Sequence, residues 1–333
     1  MKTKLIEYWE GFSKNPSQNL KRLLPVGNDE LYVYAVSMGI NGQKIYGVSI
    51  AYSKDIHIDI SDFEKFSELV IKVKSDTSYP DKSNLIVGLK DYSNIDTFAI
   101  LCGDMVETIS KMNSEKKVVS FVVNQIYRWQ KLFDLKKQDG LSSEEQQGLY
   151  GELVFLSRSM SNNEDWNKVI HSWVGINKEV RDFADGDWAV EIKTTSTNKH
   201  QKLKINSERQ LDETLLGHLF LHHISVEVSK SNGETLNNRI DLVRHQLSAN
   251  CRLLDVFNAK LIIAGYFDEQ RDCYESRHYL IRDENTYEVK DDFPRIKESE
   301  IREGVGDVKY TIIASTLFEY KVDNNKLYEI IMS

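Results

Sequence analysis

At 333 residues the chain exceeds the size at which a single hydrophobic core usually keeps growing, so more than one domain is expected. Its 41% hydrophobic and 28% charged content is that of a folded globular protein, and only 4 prolines leave little room for long disordered linkers. The net charge of −8 excludes a protein that holds nucleic acid by overall attraction; a local basic cleft, or a carboxylate site whose repulsion for phosphate is inverted by a bound metal, stays open.

No run of about 18 apolar residues occurs, and the opening MKTKLIEYWEG is broken by charges before a signal-peptide core could form. No membrane association is expected, and the expected location is the cytoplasm. Cys102, Cys251 and Cys273 are odd in number, far apart and without a Cys-x-x-Cys pair, which predicts reduced thiols rather than a disulfide framework or a cysteine zinc site.

In chain order, alternation predicts strands at 30–38 and 43–52, with Asn41-Gly42 between them supplying the positive backbone angles of a tight hairpin. Further strands are expected at 69–74 and 85–90. Apolar residues recurring at three and four predict helices at 98–112 and 118–135, with Trp129 and Phe133 on a core-facing stripe. Asp139-Gly140 closes the second helix, and Ser142 with Glu145 forms a capping box that opens the next. Beyond the central segment a helix is expected at 235–247 and strands at 259–266, 277–282, 287–290 and 308–318. The expected division is a β-rich module with its following helix at 1–112, a core domain at 113–255 and a mixed α/β extension at 256–333. No internal repeat or low-complexity segment is present.

Chemistry concentrates between 147 and 211. In the helix Gln147-Gly-Leu-Tyr-Gly-Glu152, rotation of about 100° per residue brings Leu149, Phe155 and Leu156 within about 60° of Glu152. A carboxylate centred on an apolar stripe needs a metal, strong donors or an Arg partner, because burying it unpaired is costly. Gly148 and Gly151 weaken the helix and suggest that a backbone or a substrate passes close by.

In Val180-Arg-Asp-Phe-Ala-Asp-Gly-Asp-Trp-Ala-Val-Glu-Ile-Lys-Thr-Thr195, Asp185-Gly186 marks a hairpin turn. Period-two alternation places Trp188, Val190 and Ile192 on a core face and Ala189, Glu191 and Lys193 on the other, with Asp182 across from the Ala189 to Glu191 region. This set suits phosphodiester hydrolysis. Mg2+, or Mn2+ in its place, takes oxygens from one or two carboxylates and completes its shell with water and phosphate. Asp182 and Glu191 are the candidate carboxylate ligands, Ile192 offers a backbone carbonyl, and Glu152 completes the shell directly or through water. Lys193 is placed to handle the nucleophile and offset developing charge. The candidate catalytic residues are therefore Glu152, Asp182, Glu191 and Lys193. An acid-x-Lys triplet alone says little, since Asp134-Leu-Lys136, Glu288-Val-Lys290, Asp307-Val-Lys309 and Glu319-Tyr-Lys321 also match it. Only the Glu191 triplet follows a helix acid, a strand acid and a tight turn.

Gly148-Leu-Tyr-Gly-Glu152, Arg181-Asp-Phe183, Val190-Glu-Ile-Lys-Thr-Thr195 and Ser207-Glu-Arg-Gln-Leu211 together resemble the PD-(D/E)XK nuclease superfamily. More narrowly, the chain resembles a bacterial family of PD-(D/E)XK members, uncharacterised by name and often encoded beside restriction and phage-defence genes. Trp129, Gly140-Leu-Ser and Phe293-Pro-Arg-Ile296 extend that likeness over most of the chain. The resemblance implies an α+β fold with a restriction-endonuclease-like αβββαβ core, metal-dependent hydrolysis of DNA, and protein partners from a defence system. Arg181 stands where the superfamily often has a Pro, which leaves Asp185 and Asp187 as rival ligands.

The most basic run, Lys199-His-Gln-Lys-Leu-Lys204, lies beside this site, and Lys199, Lys202 and Lys204 are candidate DNA contacts or else a solvated face. Arg209 and Gln210 sit where related nucleases carry a supporting polar residue. His218 and His222 would share a helical face as zinc ligands, but Leu-Gly-His-Leu-Phe-Leu-His-His-Ile is rich in strand formers, which predicts structural histidines instead. Two functional classes stand: a DNA endonuclease, as a possible oligomer or defence subunit, and a nuclease-like fold that binds DNA or protein without cleaving.

Overall fold

The computed structural model describes residues 1–14, 19–28, 30–40, 42–61, 63, 66–76, 79–136, 140–177, 179–196 and 201–332. Internal contacts divide the chain into two units, Met1–Gln138 and Asp139–Ser333. This division falls at neither 112 nor 255: the helix expected to open the core domain belongs to the first unit, and the C-terminal extension belongs to the second.

The first unit contains helix α1 (Lys2–Ser13), strands β1 (Leu20–Leu23), β2 (Val33–Ile40), β3 (Gln43–Ser53), β4 (Leu69–Ser75) and β5 (Lys82–Leu89), then helices α2 (Ile95–Ser110) and α3 (Glu115–Lys136). The sheet runs β1-β2-β3-β5-β4 with every neighbouring pair antiparallel. The expected hairpin forms, with Ile40 opposite Gln43 and Gly42 at φ +79°. Helix α1 was not expected, because its apolar positions Leu5, Trp9 and Phe12 are too few to mark a stripe; all three are buried, and Trp9 stacks on Phe98 at 5.8 Å. Trp129 and Phe133 pack in the core.

The second unit contains α4 (Ser143–Ser161), α5 (Trp166–Ser172), β6 (Phe183–Asp185), β7 (Trp188–Thr195), β8 (Lys202–Ile205), β9 (His218–Ser229), β10 (Glu234–Thr235), α6 (Leu236–Gln246), α7 (Cys251–Ile263), β11 (His278–Glu288), β12 (Tyr310–Ile313), β13 (Lys321–Val322) and α8 (Asn324–Met332). Its main sheet runs β10-β11-β9-β7-β6, with β13 added on β11, while β8 and β12 pair separately. The β6–β7 hairpin is antiparallel, and β9 runs parallel to β7. Ser142 and Glu145 make both capping-box bonds at the start of α4, as expected.

One sheet face packs Trp188, Val190, Ile192, Phe220 and Ile224 against Leu149, Leu153 and Phe155 of α4 and against α6 and α7. The other face packs Ala189, Leu219, Leu221 and Tyr287 against Leu203 and Ile205 of β8 and Ile312 of β12. The sheet is therefore covered on both sides, which corrects the expectation that only the Val190 face of β7 is core.

The mixed α/β class expected is the class observed, but the details of the core differ. A strand before β6 is reduced to a single bridge, Trp173 opposite Phe183. Among the described residues, the segment between β7 and β9 holds β8 and a short 3-10 turn, Glu208–Leu211, where the αβββαβ order would put a helix. The strand expected at 259–266 is instead the end of α7. Leu253, Val256, Phe257, Lys260 and Leu261 are all buried at helical spacing, a period that the residues from Ala259 onward are too few to show. The strands expected at 277–282 and 287–290 are one continuous β11, interrupted by a register shift between Ile281 and Asp283. The strand expected at 308–318 is limited to β12, followed by 3-10 turns. No helix among the described residues is long and apolar enough to cross a membrane.

Candidate active site

Glu152 lies on α4 and turns its carboxylate toward the β6–β7 hairpin. Its Oε2 accepts a hydrogen bond of 2.7 Å from the indole Nε1 of Trp173, a fully buried residue at the C-terminus of α5. The donor that a buried carboxylate requires is thus an indole, not an arginine. Gly151 allows the approach of helix to strand: a Cβ there would stand 1.9 Å from Thr194 Oγ1. A Cβ at Gly148 would meet no atom within 4 Å, because this residue lines the open cleft.

Asp182 immediately precedes β6, and the Phe183–Val190 register continued by one residue places it opposite Glu191. Its Oδ2 accepts from the backbone N–H of Ile192 at 2.7 Å, while its carbonyl accepts from the N–H groups of Val174 and Gly175, each at 2.9 Å. Gly175 is required here for space, since a Cβ would lie 2.7 Å from the Asp182 Cα. Glu191 is 1% exposed, and its Oε1 pairs with Lys193 Nζ at 2.6 Å. Arg181 donates to the Asp212 carbonyl, and burial lowers its pKa against the opposing influence of Asp212 and Glu191.

Burial pushes the Glu191 carboxyl up to about 8, with Asp182 adding to the rise and Lys193 opposing it. Burial also holds Glu152 well above the ordinary carboxylate range, helped by Asp182 and Glu191 and opposed by Trp173 and Lys193. Asp182 is raised by burial, against Lys193 and the Ile192 N–H. Asp182 raises both Glu152 and Glu191, Glu191 also raises Glu152, and Lys193 opposes the rise at all three carboxyls, so the group is one electrostatic unit short of positive charge.

That unit forms the floor of a cleft of about 900 Å³ lined by Glu152, Asp182, Glu191, Ile192 and Lys193. Lys202, Lys204 and Gln210 line the same cleft; both lysines are exposed on the outward positions of β8. Gln210 Oε1 also accepts from the Asn206 N–H at 2.8 Å. Lys199 lies outside the described residues. Arg209 lines a separate cavity and pairs with Glu298 at 2.8 Å.

The rival ligands stand elsewhere. Asp185 and Asp187 are exposed at the turn, Asp185 within 3.9 Å of Lys168, and neither lines the cleft. In the rival triplet at 288–290, Glu288 is paired by Lys290 and Lys326, each at 2.9 Å. The histidines lie on β9, in the strand expected for them: His222 Nδ1 is 2.8 Å from Thr286 Oγ1, and His223 Nε2 is 2.8 Å from Thr195 Oγ1. Linear reasoning missed Trp173, Gln147 and Arg277, of which the last two line the cleft. No local pattern marks them, because each reaches the site through tertiary packing.

Among the described residues, no three His, Cys, Asp or Glu side chains are gathered tightly enough to hold a metal by themselves. Mg2+ asks for less, taking one or two carboxylates and keeping several waters. Glu191 Oε2 is buried without a hydrogen-bond partner, and a buried acceptor left in this state is a site that a cation satisfies. The donor chemistry of Asp182 and Glu191 thus fits a divalent ion, with Glu152 and Ile192 lining the same cleft.

A family described as "Putative PD-(D/E)XK family member, (DUF4420)" matches residues 7–315. No curated protein and no solved structure matches the chain.

Proposed function

The chain belongs to this DUF4420 family, and from that footing we propose that it is a metal-dependent DNA endonuclease working within a bacterial defence system. The observation that carries the reading is the grouping of Glu152, Asp182, Glu191 and Lys193 on the floor of one cleft whose rim bears Lys202 and Lys204. A bound divalent ion would supply a Lewis acid for the phosphoryl oxygen and a water of lowered pKa. Asp182 and Glu191 provide the oxygens that hold such an ion, and the Ile192 N–H fixes the Asp182 carboxylate in place. Lys193 offsets the negative charge that develops on the phosphate and is placed to hold or pass a proton of the attacking water. Its 2.6 Å contact with Glu191 couples the two residues. Trp173 keeps Glu152 turned inward. The two rim lysines contribute attraction for the phosphate backbone.

The test is cleavage of plasmid, linear and single-stranded DNA by the purified full chain, alone and with the products of neighbouring genes. Cleavage is expected with Mg2+ or Mn2+, to cease with EDTA and to return when the metal is restored. Cleavage that persists without metal, or that Glu191→Ala and Lys193→Ala leave at the wild-type rate, overturns the assignment. Metal-dependent DNA binding with no cleavage under any of these conditions would instead favour a non-cleaving subunit.

A further inference from the structure

Two cations of the cleft, Lys202 and Lys204, project from β8, which packs on one face of the main sheet through Leu203 and Ile205. The other wall belongs to α4, which packs on the opposite face through Leu149, Leu153 and Phe155. A further cation enters the cleft from that second side. This is Arg277, the residue before β11, whose position in the sequence is far from every other group of the site.

Arg277 is half-buried and held in place. Its Nε donates to the Tyr279 hydroxyl at 3.0 Å, its guanidinium lies 5.5 Å from the centre of the Tyr279 ring, and one Nη lies 3.5 Å from Gln147 Oε1. Tyr279 is in turn buried and stacked on Tyr150 of α4 at 4.4 Å. Gln147 donates through Nε2 to the Thr194 carbonyl at 2.8 Å, one residue beyond Lys193. The guanidinium is therefore tied to the backbone of the strand that carries the Glu191 triplet. Both of its partners are neutral, so its charge is not cancelled by them. Only two of its five N–H donors are engaged, which leaves a planar fork free to meet two phosphate oxygens.

We propose that Arg277 is a phosphate-binding residue, holding the nucleic-acid backbone on the α4 side of the cleft while Lys202 and Lys204 hold it on the β8 side. This rests on the nuclease reading and extends it, because it makes the substrate grip two-sided and draws one half of it from the C-terminal part of the chain. In a protein of net charge −8, a few cations placed on both walls must do what a general basic surface does elsewhere.

The experiment uses the full chain carrying Lys193→Ala, to prevent turnover, and measures fluorescence anisotropy with a labelled DNA duplex of about 20 base pairs over a salt series in Ca2+. Arg277→Met is expected to weaken binding about 3- to 10-fold regardless of sequence, and to lower the slope of log affinity against log salt by about 0.9, the value of one lost phosphate contact. Arg277→Lys should keep the slope, since it keeps the charge. Arg282→Met, which removes a cation paired with Glu227 at 3.1 Å and outside the cleft, should change neither quantity. Unchanged affinity and slope in Arg277→Met, with Lys202→Met and Lys204→Met each lowering the slope, would overturn the role of Arg277 and leave the nuclease reading standing. Equal loss of slope in Arg277→Lys and Arg277→Met, both still folded by circular dichroism, would also overturn it, because the charge would not be what acts. Binding by the parent protein that lacks any salt dependence would overturn both readings together.

Discussion

Glu152 is held by one indole N–H, and that bond decides which way the carboxylate faces. Replacing Trp173 with Phe keeps most of the buried ring and removes the donor. Outer partners of metal ligands typically contribute 10- to 100-fold to metal affinity. Trp173→Phe is accordingly expected to weaken Mn2+ binding by about 10-fold in calorimetry while leaving the chain folded. An unchanged isotherm would show that Glu152 does not depend on the indole. Glu191→Ala and Lys193→Ala are each expected to reduce cleavage by about a hundredfold or more, since both residues line the cleft and pair with each other there. Glu288→Ala, in the rival triplet, should cleave as the wild type does; loss of activity there would move the site.

The helix α4 and the strand β7 meet at Gly151 and Thr194, where a methyl group has no room. Gly151→Ala is expected to destabilise the protein by about 1–3 kcal/mol through overpacking. Thr194→Ala in the same chain should restore most of that loss, and urea melts of the two single variants and the double variant measure the coupling. These two elements were legible in the sequence because their signals are local: the Ser142–Glu145 box, the Asp185-Gly186 turn and the alternation around Glu191 each fall within a few residues. The α7 helix is obscured in the sequence because the stretch from Ala259 onward is rich in strand formers, while its helical spacing begins at Leu253. Short elements such as α5 carry too few residues for a period to show. The pairing of β9 with β11, and with it the placement of Arg277, joins residues about sixty apart, and no periodicity encodes that. So the acids and the lysine of the candidate site, which line one cleft, are marked along the chain, whereas the neighbours Trp173, Gln147 and Arg277 are visible only in three dimensions.

Over the whole molecule, the acidic balance predicts weak or absent cleavage by the isolated chain and strong inhibition by salt, since few cations face the substrate. Robust, sequence-specific cutting by the chain alone would show that no partner is needed. Acid stability should follow His223, whose imidazole burial pushes down to about 4, with His222 adding to the depression and Asp283 opposing it. An unfolded histidine takes its proton near pH 6.5. Between about pH 6.5 and 4 the unfolded chain therefore binds the extra proton while the folded one does not, and stability falls as pH falls through that window. Above it, His223 is neutral in both states and its contribution no longer changes, while the raised Glu191 carboxyl acts in the opposite sense, its contribution being lost as pH rises through about 8. The loss at the acid end is on the order of 3 kcal/mol. His223→Gln should flatten the difference between urea midpoints at pH 7 and pH 5; an undiminished difference would assign the acid sensitivity to other groups.

The order β10-β11-β9-β7-β6 has a consequence for synthesis on the ribosome. Strand β9 is 12 residues long and largely buried in the finished fold, yet the partner for its outer edge, β11, ends at Glu288, 59 residues after Ser229. At about 5–20 residues per second the nascent chain carries that apolar edge unpaired for about 3–12 s. Throughout that interval the carboxylates and Lys193 can already be in place, but the Arg277 wall cannot. The grip proposed for Arg277 cannot form until β11 has been made, and fragments that stop short of β11 should aggregate through the unpaired edge of β9.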